Sequence, residues 1–190
     1  MIVWYTIKNW INQHRTRTIR IHTLDATYHD ADDVLMHTMF QILVDYVEVD
    51  CAWMDVVFDR EKLTWDIRLR HALGIEFRSR HHGVAYLQWE QELRDEKGKE
   101  ISQAITAKKV YDLYWWWKDA RKFRIDPWSL VKARWDPEWF SDKPVSDDDF
   151  NARELWRKQS DDAQRLEDQY YREDTDKMKE LIDLRPHLWT

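Results

Sequence analysis

Six polar side chains recur at helical spacing between residues 30 and 58, in a segment that is otherwise largely apolar. At 3.6 residues per turn they share an arc of roughly 120° on one helix face; they are Asp33, His37, Gln41, Asp45, Glu48 and Asp55. Carboxylates and an imidazole at this spacing can bind a divalent cation or transfer protons when a second element completes the site. The alternative is an ordinary solvated helix face with no chemistry of its own.

A metal site on this face would need ligands from two helices. We take His37, Asp45 and Glu48 as ligands from the first helix and Glu90 as the ligand from a facing one, with Glu92, His81 and His82 as further candidates. Mg²⁺ or Mn²⁺ would suit the carboxylates, and Zn²⁺ would suit added imidazole. The Glu-x-x-His pairs of helical di-metal proteins are missing, so the sequence does not require a cofactor.

Three consecutive tryptophans, Trp115, Trp116 and Trp117, form the second candidate site. Neighbouring helical residues point about 100° apart, so three indoles cannot share one narrow buried stripe. Trp and Arg are the residue types most enriched at binding hot spots, and Arg121 and Arg124 follow within two turns. These five residues are therefore predicted to bind a partner. The alternative is that the Trp-rich segment 125–140 packs over them.

No motif identifies a catalytic residue. The sequence contains no Gly-rich phosphate loop, G-x-S-x-G elbow, H-E-x-x-H motif or cysteine-based zinc pattern. His81-His82 is too short to be diagnostic. Cys51, the one cysteine, falls on the apolar side of the 30–58 helix, where a buried and unreactive thiol is expected. The catalytic residues stay unknown, and a non-enzyme is favoured.

The elements that would position these groups are predicted to be helices. Three glycines and four prolines are too few for a turn-rich β fold, whereas 13 Trp, 8 Tyr and 6 Phe supply packing material. We predict a mainly α, single-core domain with three longer helices at about 30–58, 101–122 and 147–184, and a short N-terminal edge strand at 17–24. Residues 1–146 would form the core domain. Residues 147–190 would form a long helix packed on that core or at an oligomer interface.

Charge and hydropathy narrow the partner class. The net charge is −6, yet residues 60–134 carry 17 basic and 11 acidic side chains, which keeps nucleic-acid binding as a less favoured alternative. No run approaches the roughly 20 apolar residues that cross a bilayer, and the N-terminus lacks a signal-peptide pattern. The sequence therefore predicts a cytoplasmic protein without a membrane partner.

Three stretches resemble hypothetical proteins encoded by tailed bacteriophages. They are Phe40 with Asp45-Tyr46-Val47-Glu48, then Leu113 to Trp117 with Arg121, Arg124 and Asp126-Pro127, and finally Leu181 to Arg185 with Leu188-Trp189-Thr190. The resemblance implies a phage origin and expression in a bacterial cytoplasm. It implies no catalytic residues, because the group has no assigned activity.

Together these observations favour a non-enzymatic phage accessory protein, a helical protein-binding module that engages a host or phage partner as a monomer or homo-oligomer. The alternative is a metal-dependent enzyme acting on a phosphate ester or nucleotide. In that enzyme Asp45 and Glu48 would be ligands, His37 a ligand or general base, and Arg78 or Arg80 a phosphate clamp. Nucleic-acid binding through residues 60–134 is the second alternative.

Overall fold

The computed structural model describes residues 21–24, 29–59, 61–133, 135–136 and 147–188. The described part is mainly α and contains no strand, which confirms the predicted fold class. Its α-helices are α1 (Ala31–Asp45), α2 (Ala52–Phe58), α3 (Trp65–Ala72), α4 (Arg80–Gln91), α5 (Ser102–Trp115) and α6 (Asp147–Leu184). Two π-helical segments are π1 (Tyr46–Cys51) and π2 (Trp116–Ala120), and short 3₁₀ turns span Arg121–Phe123, Pro127–Leu130 and Arg185–His187.

The predicted 30–58 helix is confirmed, with a π-helical centre that was not foreseen: α1, π1 and α2 follow one another without a break. A π segment contains one extra residue per turn and frees backbone carbonyls from the regular helical ladder. Here the Glu48 carbonyl accepts the N–H of Ser79, with N and O 2.7 Å apart. Asp30 occupies the N-cap position of α1, although its side chain makes no capping hydrogen bond.

The other two long helices also match their predictions. The 101–122 helix is observed as α5 followed by π2 and the turn Arg121–Phe123, and the 147–184 helix is α6. The predicted edge strand lies mostly outside the described residues, and residues 21–24, which are described, form a bend. In the described part of the Trp-rich segment 125–140, Trp128 and Trp135 are about half exposed.

Backbone contacts divide the chain into two compact units, and their borders differ from the proposed one at residue 146. Unit 1 comprises residues 1–118 and 180–190, and unit 2 comprises residues 119–179. One border lies between Lys118 and Asp119, inside π2, and the other lies between Lys179 and Glu180, inside α6. Each of these two helical runs therefore contributes residues to both units. Leu181 and Leu184, in the last turn of α6, are buried residues of unit 1.

Unit 1 has an apolar core to which α1, π1, α2, α4 and α5 all contribute. Its fully buried side chains include Phe40, Leu43, Val47, Val56, Leu87, Val110, Leu113 and Tyr114. Gly83 in α4 lies directly against the backbone of π1, since a Cβ added at Gly83 would lie 1.9 Å from the Val47 carbonyl oxygen. A glycine is therefore required for α4 to pack directly against π1, and this contact sets the positions of both helices' polar side chains.

Unit 2 is held by ion pairs between the segment after π2 and α6. Arg124 pairs with Glu173 and Asp174 at 2.9 Å and 2.6 Å, and Arg121 pairs with Asp174 at 3.3 Å. The Arg124 guanidinium also lies 4.6 Å from the centre of the Tyr170 ring. Across the part of the chain that the structure describes, no helix is both long enough and apolar enough to span a bilayer.

Candidate functional site

Glu48 lies at the centre of a polar cluster inside unit 1. One carboxylate oxygen, Oε1, accepts the Tyr114 hydroxyl and the Lys118 ammonium, each at 2.8 Å. The other, Oε2, accepts from the Arg78 guanidinium at 3.2 Å. Glu48 itself is only 7% exposed. Two cations and a phenol therefore surround one buried carboxylate, and we call this group the Glu48 cage.

The cage keeps Glu48 ionised. Burial alone would raise the pKa of Glu48, but hydrogen bonds from Lys118, Tyr114 and Arg78 outweigh burial and hold that pKa below its ordinary value. The same geometry raises the pKa of Arg78, whose burial is outweighed by Asp45, Glu48 and Glu76. The carboxylate and its cations are thus fixed in their charged forms.

A chain of hydrogen bonds extends the cage to the surface. Arg78 also pairs with the carboxylate of Asp45 on α1, and the side-chain amide of Gln41 donates to the same carboxylate at 2.7 Å. The Gln41 carbonyl accepts the backbone N–H of His22 at 3.0 Å. A small open cavity of about 220 Å³ lies beside this chain of bonds, and it is lined by His22, Thr23, Gln41, Val44, Glu48, Arg78 and Lys118.

The four proposed metal ligands are not brought together. His37 bonds Thr23 and packs its ring edge-on to Trp117, Asp45 pairs with Arg78, and Glu48 is enclosed by its cage. Glu90 is bonded by Gln103 at 2.6 Å in a separate cluster. Within the described ranges, no three His, Cys, Asp or Glu side chains form a group that could hold a metal ion. Asp45 and Glu48 do lie close enough to share Arg78, but the facing elements supply cations to them instead of further metal ligands.

Glu90 belongs to a buried cluster with Tyr46, Tyr86 and Cys51. Burial, with added repulsion from Glu90, raises the pKa of both phenols above their ordinary value. Burial also raises the pKa of the Cys51 thiol to about 12. The thiol is free and 2% exposed, which confirms the expected buried cysteine and leaves almost no thiolate at neutral pH.

The three tryptophans have different environments. Trp116 and Trp117 are buried at 8% and 6% exposure, and the Trp117 ring stacks on Phe40 with centroids 4.3 Å apart. Trp115 is the exposed member, at 36%, and the Arg80 guanidinium covers its ring at 4.4 Å. One indole therefore reaches the helix edge, as the spacing predicted, but two of the three are core residues.

The arginines proposed to act with these tryptophans have intramolecular roles instead. Arg121 and Arg124 pair with acidic residues of α6 in unit 2. The proposed phosphate clamps are likewise engaged, since Arg78 joins the Glu48 cage and Arg80 lies over Trp115. The side chains that sequence reasoning offered to a partner or a phosphate are largely occupied by the protein's own groups.

Sequence reasoning missed a carboxylate–imidazole pair between α2 and α4. The Nδ1 atom of His82 lies 2.6 Å from Oδ2 of Asp55, and the Lys62 ammonium lies 2.9 Å from Oδ1 of the same carboxylate. Asp55 was identified as part of the polar stripe, and His82 was considered only as a metal ligand. Their separation of 27 positions in the sequence hid the pairing.

No family model, curated protein or solved structure matches this chain. The resemblance to tailed-phage proteins therefore stays a prediction from the sequence.

Sequence reasoning also missed an apolar surface on α3, which we call the α3 stripe and define as Trp65, Leu69 and Leu73. These residues are 76%, 47% and 65% exposed and recur every fourth position, so they lie along one side of α3 and the turn that ends it. The opposite side is anchored by Ile67, the one buried residue of α3, and by His71, whose ring stacks on Trp53 at 4.6 Å. The sequence signal was present in the i, i+4, i+8 spacing.

Proposed function

We propose that this chain is a helical protein-binding module, that the α3 stripe is its docking surface, and that its partner presents an acidic amphipathic helix. The observation that supports this most directly is the exposure of Trp65, Leu69 and Leu73 together. Apolar residues at this spacing are the anchors used when one helix packs on another. A partner that covers the exposed tryptophan and the two leucines removes their apolar area from water, and this burial gives a favourable free energy of binding.

The charges beside the stripe argue for an acidic partner. Arg68 and Arg70 lie about 100° to either side of Leu69 around the helix axis, and both are exposed. Neither guanidinium forms an ion pair with any residue that the structure describes. A helix with leucines on one face and glutamates at its margins would cover the stripe and pair with both arginines. In contrast, Arg78 and Lys118 of the Glu48 cage are already paired, and so are Arg121 and Arg124 of unit 2.

Binding of defined peptides tests this proposal. The probe is a fluorescent 18-residue amphipathic peptide with a leucine face and glutamates elsewhere, and its control has lysine at every glutamate position. We expect the glutamate peptide to bind in a salt-sensitive manner and the lysine peptide to bind at least tenfold more weakly. Fluorescence anisotropy measures both affinities.

Matched variants locate the binding surface. Leu69→Ser with Leu73→Ser, and separately Arg68→Glu with Arg70→Glu, should each weaken binding at least tenfold. Control changes on α5, Ile105→Ser and Lys108→Glu with Lys109→Glu, alter equally exposed residues and should leave affinity unchanged. Equal loss in the control variants would refute the α3 stripe as the surface. Tighter binding of an oligonucleotide or of anionic vesicles than of the glutamate peptide would refute the partner class.

Following the resemblance to tailed-phage proteins, we propose that this partner is a protein of the phage or of its bacterial host. Non-enzymatic action on a partner also agrees with the paired state of the groups that would have formed the metal-dependent enzyme. Both statements are part of the proposal, and the peptide experiment addresses the binding surface independently of them.

A further inference from the structure

The carboxylate–imidazole pair of Asp55 and His82 joins two packed helices of unit 1. Asp55 lies on α2 with its side chain 10% exposed, and His82 lies on α4 one residue before the Gly83 contact. The backbone N–H of His82 donates to the side-chain hydroxyl of Ser79, which is the N-cap residue of α4. Both partners are therefore held by packed backbone, and the 2.6 Å hydrogen bond between them is preorganised.

This geometry determines which ring nitrogen of His82 carries the proton. Burial would raise the pKa of Asp55, but hydrogen bonds from Lys62 and His82 outweigh burial and lower it, so Asp55 is a carboxylate. A carboxylate only accepts hydrogen bonds, so Nδ1 must be the N–H donor. In the neutral ring, the Nε2 atom then bears the lone pair.

The Nε2 atom has no hydrogen-bond partner among the residues that the structure describes. The side chain is 24% exposed, so solvent reaches part of the ring. The neighbouring rings are Phe77 and His81, with centroids 5.7 Å and 5.3 Å away. A fixed tautomer, a stabilising carboxylate and an unbonded Nε2 are the features that make an imidazole a nucleophile.

We propose that His82 is a phosphoryl-acceptor site, modified at Nε2 by small phosphoryl donors. The Nε2 lone pair attacks phosphorus, and the bond from phosphorus to the donor's leaving atom breaks. With phosphoramidate as donor, the protonated nitrogen leaves as ammonia with the bonding electron pair. The proton on Nδ1 stays in its hydrogen bond to Asp55, which balances the positive charge of the phosphorylated ring. Lys62 is bound to the same carboxylate and helps to keep Asp55 in its charged form.

The chain contains a matched control in His81. His81 is adjacent in sequence and more exposed than His82, and no carboxylate of the described residues bonds it. If exposure alone decided reactivity, His81 would react first. If Asp55 activates the imidazole, His82 reacts first despite its lower exposure.

The experiment is incubation of the full chain with potassium phosphoramidate at neutral pH, followed by ³¹P NMR and by mass mapping of the modified peptide. We expect one phosphoryl group, at Nε2 of His82, formed at least tenfold faster than modification of His81. His82→Gln should abolish it and His81→Gln should not change it. Asp55→Asn, which retains a hydrogen-bond acceptor without the charge, should slow it at least tenfold.

Three results would overturn the proposal: equal rates at His81 and His82, attachment at Nδ1 of His82, or an unchanged rate in Asp55→Asn. Circular dichroism of each variant establishes that it is folded before its rate is compared. If His82→Gln does not fold, the isomer identity and the His81 comparison in the unaltered chain still decide the question. The outcome is independent of peptide binding at the α3 stripe.

Discussion

Replacing Gly83 with alanine is the sharpest test of the packing that positions the polar clusters. In the interior of an ordinary helix this change stabilises a protein by about 1 kcal/mol, because alanine has the higher helix propensity. In α4 the added Cβ would lie 1.9 Å from the Val47 oxygen and 2.8 Å from its carbonyl carbon. Both atoms are backbone, so no side-chain rotation relieves the overlap, and the two helices must separate by about 1 Å.

That separation has a definite cost. It lengthens the 2.7 Å bond from the Ser79 N–H to the Glu48 carbonyl and strains the 2.6 Å contact between His82 and Asp55. Weakening these bonds costs about 1 kcal/mol each, and the loss of close packing adds a similar amount. These costs total about 3 kcal/mol, and subtracting the gain of about 1 kcal/mol from helix propensity leaves an expected net destabilisation of about 2 kcal/mol, opposite in sign to the propensity effect alone.

Urea-induced unfolding followed by circular dichroism measures this free energy of unfolding. Gly98→Ala is the control, because Gly98 has a positive φ of 76° and no atom within 4 Å of an added Cβ. It should cost only about 1 kcal/mol, from the left-handed backbone alone. A Gly83→Ala variant as stable as the unaltered chain, or more stable, would refute the close approach of α4 to π1.

Three further predictions concern the ionised and buried groups. Glu48→Gln should destabilise the chain by about 2 kcal/mol at pH 7, because Lys118 and Arg78 each lose a buried, charged partner. The pKa of Glu48 in the folded protein lies below its ordinary value of 4.5. The contribution of Glu48 to the free energy of unfolding is therefore present above that value and is lost as pH falls through the folded pKa. Urea unfolding between pH 3 and 7 should show that the stability of the Glu48→Gln variant falls less steeply toward acid pH. Cys51, with a pKa of about 12, should react with iodoacetamide at pH 8 roughly a thousandfold more slowly than a free cysteine, and reaction at the free rate would contradict its burial. Asp174→Asn should lower hydrogen-exchange protection in residues 119–179 by about 1 to 2 kcal/mol, because it weakens the pairs with Arg121 and Arg124; an equal loss throughout residues 31–118 would contradict a role confined to unit 2.

Helix positions could be predicted from the sequence because periodicity is a local property. The 3.6-residue recurrence of apolar side chains located α1 through α2, α5 and α6 within a few residues. The π segments could not be predicted in the same way, since they use the same residue types as an α-helix. At π1 the backbone of Val47 lies directly against Gly83 of α4, a contact that no local pattern in the sequence reveals.

The polar stripe illustrates why the candidate site was predicted only in part. Spacing placed Asp45 and Glu48 on one helix face, and they do meet at one cation, Arg78. The partners of Glu48 lie 30 residues away at Arg78 and 66 away at Tyr114. Nothing local in the sequence reveals such pairings, so the choice between a metal, a solvated face and an ion cluster could not be made. The solvated face is also wrong for Glu48, which is buried.

Whether a polar cluster of this protein can bind a ligand or react depends on which of its atoms still lack a hydrogen bond. Both oxygens of Glu48 are occupied by fixed donors, so binding a ligand there would first require breaking bonds to a buried charge, at a cost of several kcal/mol. The Asp55 carboxylate is also fully bonded, but its partner His82 retains an unbonded nitrogen at a partly exposed edge. Arg68 and Arg70 similarly retain their full donor capacity beside an uncovered apolar surface. The most heavily charged cluster is therefore structural, and reactivity and binding are expected at the two places where pairing is incomplete.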